Sequence, residues 1–513
     1  MNKRRFLHIE SDIMNNILKI ISQAFFSFSG KVYLIILGFW FKFYLSANLE
    51  EAAYSLGVFA LGMTIIDVIS PFASLGLGGT AIRFIPKWKV EGKVKSISSF
   101  VTTSTLITVM FSGLFFVVTI WQKDFVLQYF SDGEREMKTL SMLLPVFLIM
   151  MVVKNVSELF IQVLRGFQEV KKSTIITSFV GVTVKVLLVV ILITVGWDLE
   201  GYVYGEFIAS IILLLILGVY LGKSLGFRLQ ADRDWIDKGV LSYAGTVLLF
   251  SVLSMITVNL DRILLGHLSI SDLGVYYIAF SFVPFLSIVL TSVNSIFAPV
   301  ISQVWSEGSM IELQRLYQFF TKWILLLTLP MVYVMVSFSE ELLLLFGKEF
   351  IGGAQVLVIL SVAHLVNVSF GSVGMLLQMT GQHLQVLRIS VINTIVSAVS
   401  MFILIPKYGL KGAAIAAALG IILNNILSYL VMYNKFKFIP YQKKSWKLIL
   451  SSFISVLCLK QLFSWIPFSG EGFVSLLVIG LITLVVFLLS ARVICFSKED
   501  EEVFNQLKRK LIK

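Results

Sequence analysis

Three lysines and three acids stand inside the apolar first half of this chain: Lys31, Lys154 and Lys185 with Asp67, Glu158 and Glu206. Lys185 is the sharpest case. It lies near the middle of TSFVGVTVKVLLVVILITVG (177–196), a run long enough to cross a bilayer. A lysine at a helix centre costs roughly 2.5–3.5 kcal/mol on the insertion scale, so such residues face a water-filled cavity or one another. In a wet cavity, ammonium groups supply counter-charge and hydrogen bonds to an anionic ligand. The competing reading is pairing. Lys154 and Glu158 are four apart and share a helix face. Lys31 and Asp67 fall in consecutive spans, as do Lys185 and Glu206. We expect pairing for Lys154–Glu158 and a cavity-facing role for Lys31 and Lys185. Lys42, near the outer end of its span, is expected to snorkel. Asp67 and Asp261 are the acids whose placement suits coupling to a proton or sodium ion.

The elements that must hold these residues are membrane helices. The 513 residues are 57% hydrophobic and 14% charged, with mean hydropathy +0.90; a soluble domain carries about 25% charged residues. Fourteen spans are expected near 17–45, 54–78, 98–121, 139–163, 173–195, 201–222, 241–260, 275–298, 320–338, 353–379, 388–405, 411–433, 448–466 and 474–496. This is an all-α polytopic membrane protein. The long connection KSLGFRLQADRDWIDKG (223–239) reads as an amphipathic elbow on the membrane surface. With the N-terminus inside, inner segments hold about 28 Lys and Arg against about 7 outside, which makes both ends cytoplasmic. The net charge of +12 is therefore a topology signal and asks for no nucleic-acid partner. The start, MNKRRFLHIESDIMNN, has no apolar core with a small-residue cleavage site, so no cleaved signal peptide is expected.

The first half returns in the second. LGVF (56–59) returns as LGVY (273–276), Glu91-Gly92 as Glu307-Gly308, and Leu199-Glu200-Gly201 as Leu410-Lys411-Gly412, at nearly constant offsets. Pro71 and Pro284 fall in corresponding spans. Six spans per unit insert both copies in the same sense, related by an axis along the membrane normal, with the transport path between halves. The expected division is a first lobe over 1–222, a cytoplasmic linker over 223–240, a second lobe over 241–433, a helix pair over 434–496 and a tail over 497–513. The second lobe carries mainly neutral polar groups: Asn259, Asn294, His364, Asn367, Asn393, Asn424 and Asn425. Such amides bond across helices for about 0.6–2 kcal/mol each; together they offer donors and acceptors to hydroxyl-rich ligands. Prolines at Pro71, Pro145, Pro284 and Pro330 permit kinks.

Several stretches carry a family resemblance. They are SGKVYLIILGFWFKFYL (29–45), NLEEAAYSLGVFAL (48–61), SPFASLGLGGTAIRFIPK (70–87), VNLDRILLGHLSISDLGVYYIAFSF (258–282), LLLLFGKEFIGGAQVLVILS (342–361) and PKYGLKGAAIAAALG (406–420). In this order the chain resembles the polysaccharide-unit (O-antigen-unit) flippases of the multidrug/oligosaccharidyl-lipid/polysaccharide exporter superfamily. The resemblance implies two pseudo-symmetric six-helix lobes in a MATE-like V plus two C-terminal helices. It also implies movement of a polyprenyl-pyrophosphate-linked glycan from the inner to the outer leaflet of the plasma membrane. Lys31, Lys154 and Lys185 would then meet pyrophosphate, and Asn294, Asn367, Asn393 and Asn424 would face glycan. Lys460, midway along span 13, would meet a phosphate beside the lipid tail or reach the interface. The implied partners are the lipid-linked glycan, membrane lipids, and the polymerase and glycosyltransferases of the same pathway.

Other chemistries find little support. Cys458 and Cys495 have no CxxC or Cys/His spacing, so no metal site is indicated. No GxxxxGK(S/T), HExxH or GxSxG occurs, and GLGGTA (76–81) ends a membrane helix rather than a strand. No cofactor and no enzyme activity are expected. Two competitors remain: a cation-coupled exporter of drugs or other small molecules, which would require an acid such as Asp67, and a membrane glycosyltransferase or polymerase. The latter needs a folded soluble loop, whereas the outer loops here span roughly six to seventeen residues.

Overall fold

The computed structural model describes residues 26, 28–130, 134–224, 237–442, 446–465 and 472–494. The elbow over 223–239 and the tail over 497–513 fall largely outside them. Every regular element among the described residues is helical. Among the described residues, twelve helices are long and apolar enough to cross a membrane. One of these, His383–Phe436, leaves helical torsion at Gly409 (φ 54°, ψ −127°) and so supplies two spans. Trp446–Trp465 completes fourteen in the expected order.

Several ends differ from the sequence expectation, each for a backbone reason. Span 2 stops at Ser74, because Leu75 and Gly76 are both left-handed (φ 49° and 70°). A separate helix, Leu77–Val90, follows where a tail of span 2 and a loop were expected. Its apolar side joins a core with Phe100, Leu159 and Leu217. Its last turn carries Lys87 and Lys89, the favourable sign for a helix C-terminus. In the turn beyond, Lys93 bonds Glu91 at 2.8 Å and holds that carboxyl below the usual carboxylate range. Span 8 is broken into Ile270–Phe280 and Val283–Ser306, the second piece opening at Pro284, where a missing N–H costs nothing. Span 10, expected over 353–379, is broken between Ala354–Ser369 and Val373–Met379.

Large apolar side chains are exposed along the helices, Met110 at 70% and Leu481 at 63% among them. That pattern suits a lipid surround, where backbone groups must be satisfied within each helix. The chain forms two compact units, Met1–Tyr277 with Met401–Gly409, and Ile278–Ser400 with Leu410–Lys513. In the first unit Phe100, Leu148, Val163 and Leu217 are fully buried. In the second, Tyr317 donates to the Phe370 carbonyl at 2.6 Å and Tyr441 to that of Ser369 at 2.6 Å. The last two helices join through the Ser455 and Ser490 hydroxyls, 2.6 Å apart.

The two copies of the repeated Leu-Gly-Val motif meet inside the first unit. A Cβ at Gly57 would lie 1.9 Å from the Ile270 carbonyl oxygen, and one at Gly274 would lie 1.8 Å from that of Ala53. Each glycine thus faces the residue four positions before its counterpart. Small residues of this kind let membrane helices cross backbone to backbone.

Beside this crossing, Asp261 is buried at 4% exposure. Its carboxylate accepts from the Tyr276 hydroxyl at 2.7 Å and from the Arg262 backbone N–H at 2.8 Å. Removing the phenol would strip a buried charge of a partner. Tyr276→Phe is therefore expected to cost about 1.5–3 kcal/mol, read as a lower midpoint in a thermal melt of detergent-solubilised protein.

Candidate functional site

Span 6 (Leu199–Lys223) brings Glu206 against spans 4 and 5. The approach depends on Gly205, where a Cβ would come within 2.6 Å of Val189 Cγ2 on span 5. Glu206 is 9% exposed and meets two lysines at once. Its Oε1 is 2.9 Å from Lys154 Nζ, and its Oε2 is 3.4 Å from Lys185 Nζ. Lys154 also touches Met63 Sδ at 3.4 Å, and Lys185 sits 5.9 Å from the centre of the Phe41 ring. Tyr202 stacks on Phe59 at 3.9 Å and meets Phe41 edge-on at 5.8 Å, closing an aromatic wall beside the acid.

Two adjoining cavities, of about 590 and 370 Å³, open beside this trio and share Asp67, Ser70, Asn155 and Glu158. Lys154, Lys185 and Glu206 line the smaller one. Their neighbours follow helical spacing: Ala209, Ser210 and Leu213 continue the Glu206 face of span 6, and Thr177 and Gly181 precede Lys185 by eight and four residues. Ile175–Gly181 is π-helical, a widened turn that recurs at functional sites. No sequence signal announced it. The larger cavity is lined by Gln162, by glycines after span 2 and by Ser251, Ser254 and Asn259 of span 7. Asn155 is held there by a 3.1 Å bond to Ser112. Two lysines against Asp67, Glu158 and Glu206 make a mixed-charge cavity lining in which charged ligand groups find partners that lipid would refuse.

Two expectations from the sequence are corrected, one of pairing and one of snorkelling. Lys154 turns to Glu206 rather than Glu158, whose carboxylate instead accepts from Gln162 one turn on. Lys42 does not snorkel: its ammonium sits 3.9 Å over the Tyr277 ring. Asp67 is exposed to both cavities, apart from Lys31. Lys31 is exposed on span 1 (Phe28–Asn48) and is not among the residues lining either cavity. Lys460 is likewise exposed on span 13. Arg262 approaches the Asn259 amide oxygen at 3.5 Å, and at the C-terminal end of the same helix His267 stacks on Tyr129 at 4.4 Å.

The remaining amides belong to the second unit. Asn294 and Asn367 are half-buried, Asn393 is buried and Asn424 is exposed. The amide oxygens of Asn294 and Asn393 and the Nδ1 of buried His364 have no hydrogen-bond partner. Asn393 and Ser397 pack against Gly420. Asn425 is accounted for locally, donating to the Ile421 carbonyl at 2.8 Å.

Comparison with known proteins places these features in context. The model of the family described as "Polysaccharide biosynthesis protein" matches residues 52–355. "Probable flippase AglR" of Haloferax volcanii is 26% identical over 74% of this chain and 76% of its own length. "Probable low-salt glycan biosynthesis flippase Agl15" of the same organism is 24% identical over 50% of this chain and 54% of its own. Among solved structures, the lipid II flippase MurJ in an inward closed conformation superposes with a TM-score of 0.70 at 13% identity, covering 95% of this chain and all of that one. This likeness shows a shared fold.

Proposed function

This chain belongs to the polysaccharide biosynthesis protein family, and on that premise we propose that it carries polyprenyl-pyrophosphate-linked oligosaccharides from the inner to the outer leaflet of the plasma membrane. The observation that carries the reading is the cavity in which Lys154 and Lys185 converge within the membrane. A pyrophosphate crossing a bilayer needs a cationic, hydrated lining, and lysine is suited to it as a compact, strongly hydrated point charge. Asn294, Asn367, Asn393 and Asn424 present amide groups to the sugar hydroxyls. Both termini are cytoplasmic, and transport proceeds by alternating access. The protein performs no covalent chemistry; the glycosyltransferases and polymerase of the pathway act before and after it.

In cells whose surface glycan depends on this chain, Lys185→Ala and Lys154→Ala are each expected to reduce surface glycan at least about tenfold at equal protein level, the effect of losing one charge-assisted contact of about 1.5–3 kcal/mol. Labelling surface glycan with a lectin reads this. Undiminished glycan in both variants would end the reading.

A second reading, a cation-coupled exporter of small molecules, draws on Asp67, whose side chain is reachable from both cavities. Asp261, with both carboxylate oxygens hydrogen-bonded, is the less accessible of the two candidate coupling acids. The second reading requires Asp67→Asn to abolish proton- or sodium-driven efflux of organic cations.

A further inference from the structure

We infer that Glu206 is a stand-in for the substrate's own anion: it holds Lys154 and Lys185 in place while the cavity is empty, yields them when a phosphate group arrives, and takes them back to drive release. The inference rests on the reading that these lysines bind pyrophosphate. Its basis is that one carboxylate spans two ammonium groups, Oε1 at 2.9 Å and Oε2 at 3.4 Å. A pair of phosphate oxygens bridges two lysines in the same way.

Accessibility gives the order of events. The lysines are 27% and 31% exposed and Glu206 only 9%, so an anion entering from the cavity meets the ammonium groups first, with the acid behind them. The two contacts are unequal. Oε1 accepts a hydrogen bond from Lys154 at 2.9 Å, whereas Oε2 lies 3.4 Å from the Lys185 ammonium, the longer of the two contacts. Lys185 is therefore the first to be released to a ligand, and Lys154 the second.

Without Glu206, two like charges would face each other across the cavity and grip an anion with nothing to displace it. A carrier must bind its cargo weakly enough to let go. Glu206 sets that balance as an internal competitor, held beside span 5 by the packing of Gly205 on Val189. The device also selects cargo: a ligand with one weak negative charge cannot displace a carboxylate from two lysines, whereas a diphosphate can.

The test uses the full chain in detergent and geranyl pyrophosphate as the probe, with geraniol as the uncharged control. Binding and dissociation are measured for the wild type, Glu206→Gln, Glu206→Asp, Lys154→Ala and Lys185→Ala. Glu206→Gln is expected to bind the probe roughly tenfold more tightly and release it more slowly, the consequence of removing one competing charge-assisted contact. Glu206→Asp, a methylene too short to span both lysines, is expected to fall between Gln and wild type, and it carries the test if the Gln variant does not fold. Tighter binding by these variants with unchanged geraniol binding supports the inference. If the lysine variants weaken binding while neither Glu206 variant tightens it, the stand-in role is overturned and the pyrophosphate reading survives. If the lysine variants bind as well as wild type, the pyrophosphate reading itself falls.

Discussion

Gly274→Ala and Gly57→Ala are each expected to leave little or no monodisperse protein in detergent, whereas Gly113→Ala and Gly222→Ala behave as wild type. At Gly274 and Gly57 the added methyl would lie 1.8 and 1.9 Å from a backbone carbonyl oxygen, a distance no side-chain rotation relieves. At Gly113 and Gly222 it would meet nothing within 4 Å. Overpacking a core against side chains costs about 1–3 kcal/mol. Here the obstacle is backbone, so the helices must separate, and the loss should exceed that range. Alanine favours a helix by about 1 kcal/mol over glycine, so the two control positions are expected to be neutral or slightly stabilised. Size-exclusion profiles and thermal melts of the four variants read the difference.

The second large effect is at Glu206. Glu206→Ala leaves Lys154 and Lys185 facing one another without a counter-charge in contact, and breaking a buried pair in this way costs about 3–5 kcal/mol. Glu206 is 9% exposed, but its partners are reached by the cavity, so the lower end of that range is expected. The triple variant Glu206→Leu, Lys154→Met, Lys185→Met removes all three charges together. Replacing a whole buried ionic group by apolar side chains of similar volume is often neutral or stabilising. Its melting midpoint should therefore return to that of the wild type or exceed it. Stability and transport then separate: the triple variant folds, and the cationic lining is gone.

Much of the fold was legible because lipid imposes a single rule. Apolar runs near the bilayer thickness must be helices, and their number and order followed directly. The breaks were less legible. Leu75 adopts a left-handed conformation that nothing in its side chain announces, whereas the division of span 8 was foreshadowed by Pro284. The repeat was read from short matches, and its physical content emerged only in the crossing of Gly57 and Gly274.

The site was half legible. The costly residues could be named, since a charge inside an apolar run stands out in any sequence. Of their partners, Glu206 could be named for Lys185 but not for Lys154. Spacing of four put Glu158 on the face of Lys154, but spacing describes one helix and says nothing of which neighbour that face meets. Span 6 supplied a nearer acid because Gly205 lets it close on span 5. Lys42 followed the same logic: its reach to the interface was sound for an isolated helix, yet the Tyr277 ring lay closer. Gly205, next to Glu206, is the signal that would have pointed to the approach of span 6.

The central claim is that Lys154 and Lys185 carry an anionic head group through the membrane, and leaflet-specific transport tests it most directly. Wild-type protein and the charge-free triple variant are reconstituted into vesicles with a fluorescent oligosaccharide linked to a polyprenyl pyrophosphate, and a membrane-impermeant quencher reports the fraction in the outer leaflet over time. The account predicts that wild type redistributes the lipid while the folded triple variant stays at the rate of protein-free vesicles. Equal rates for wild type and the triple variant would contradict it.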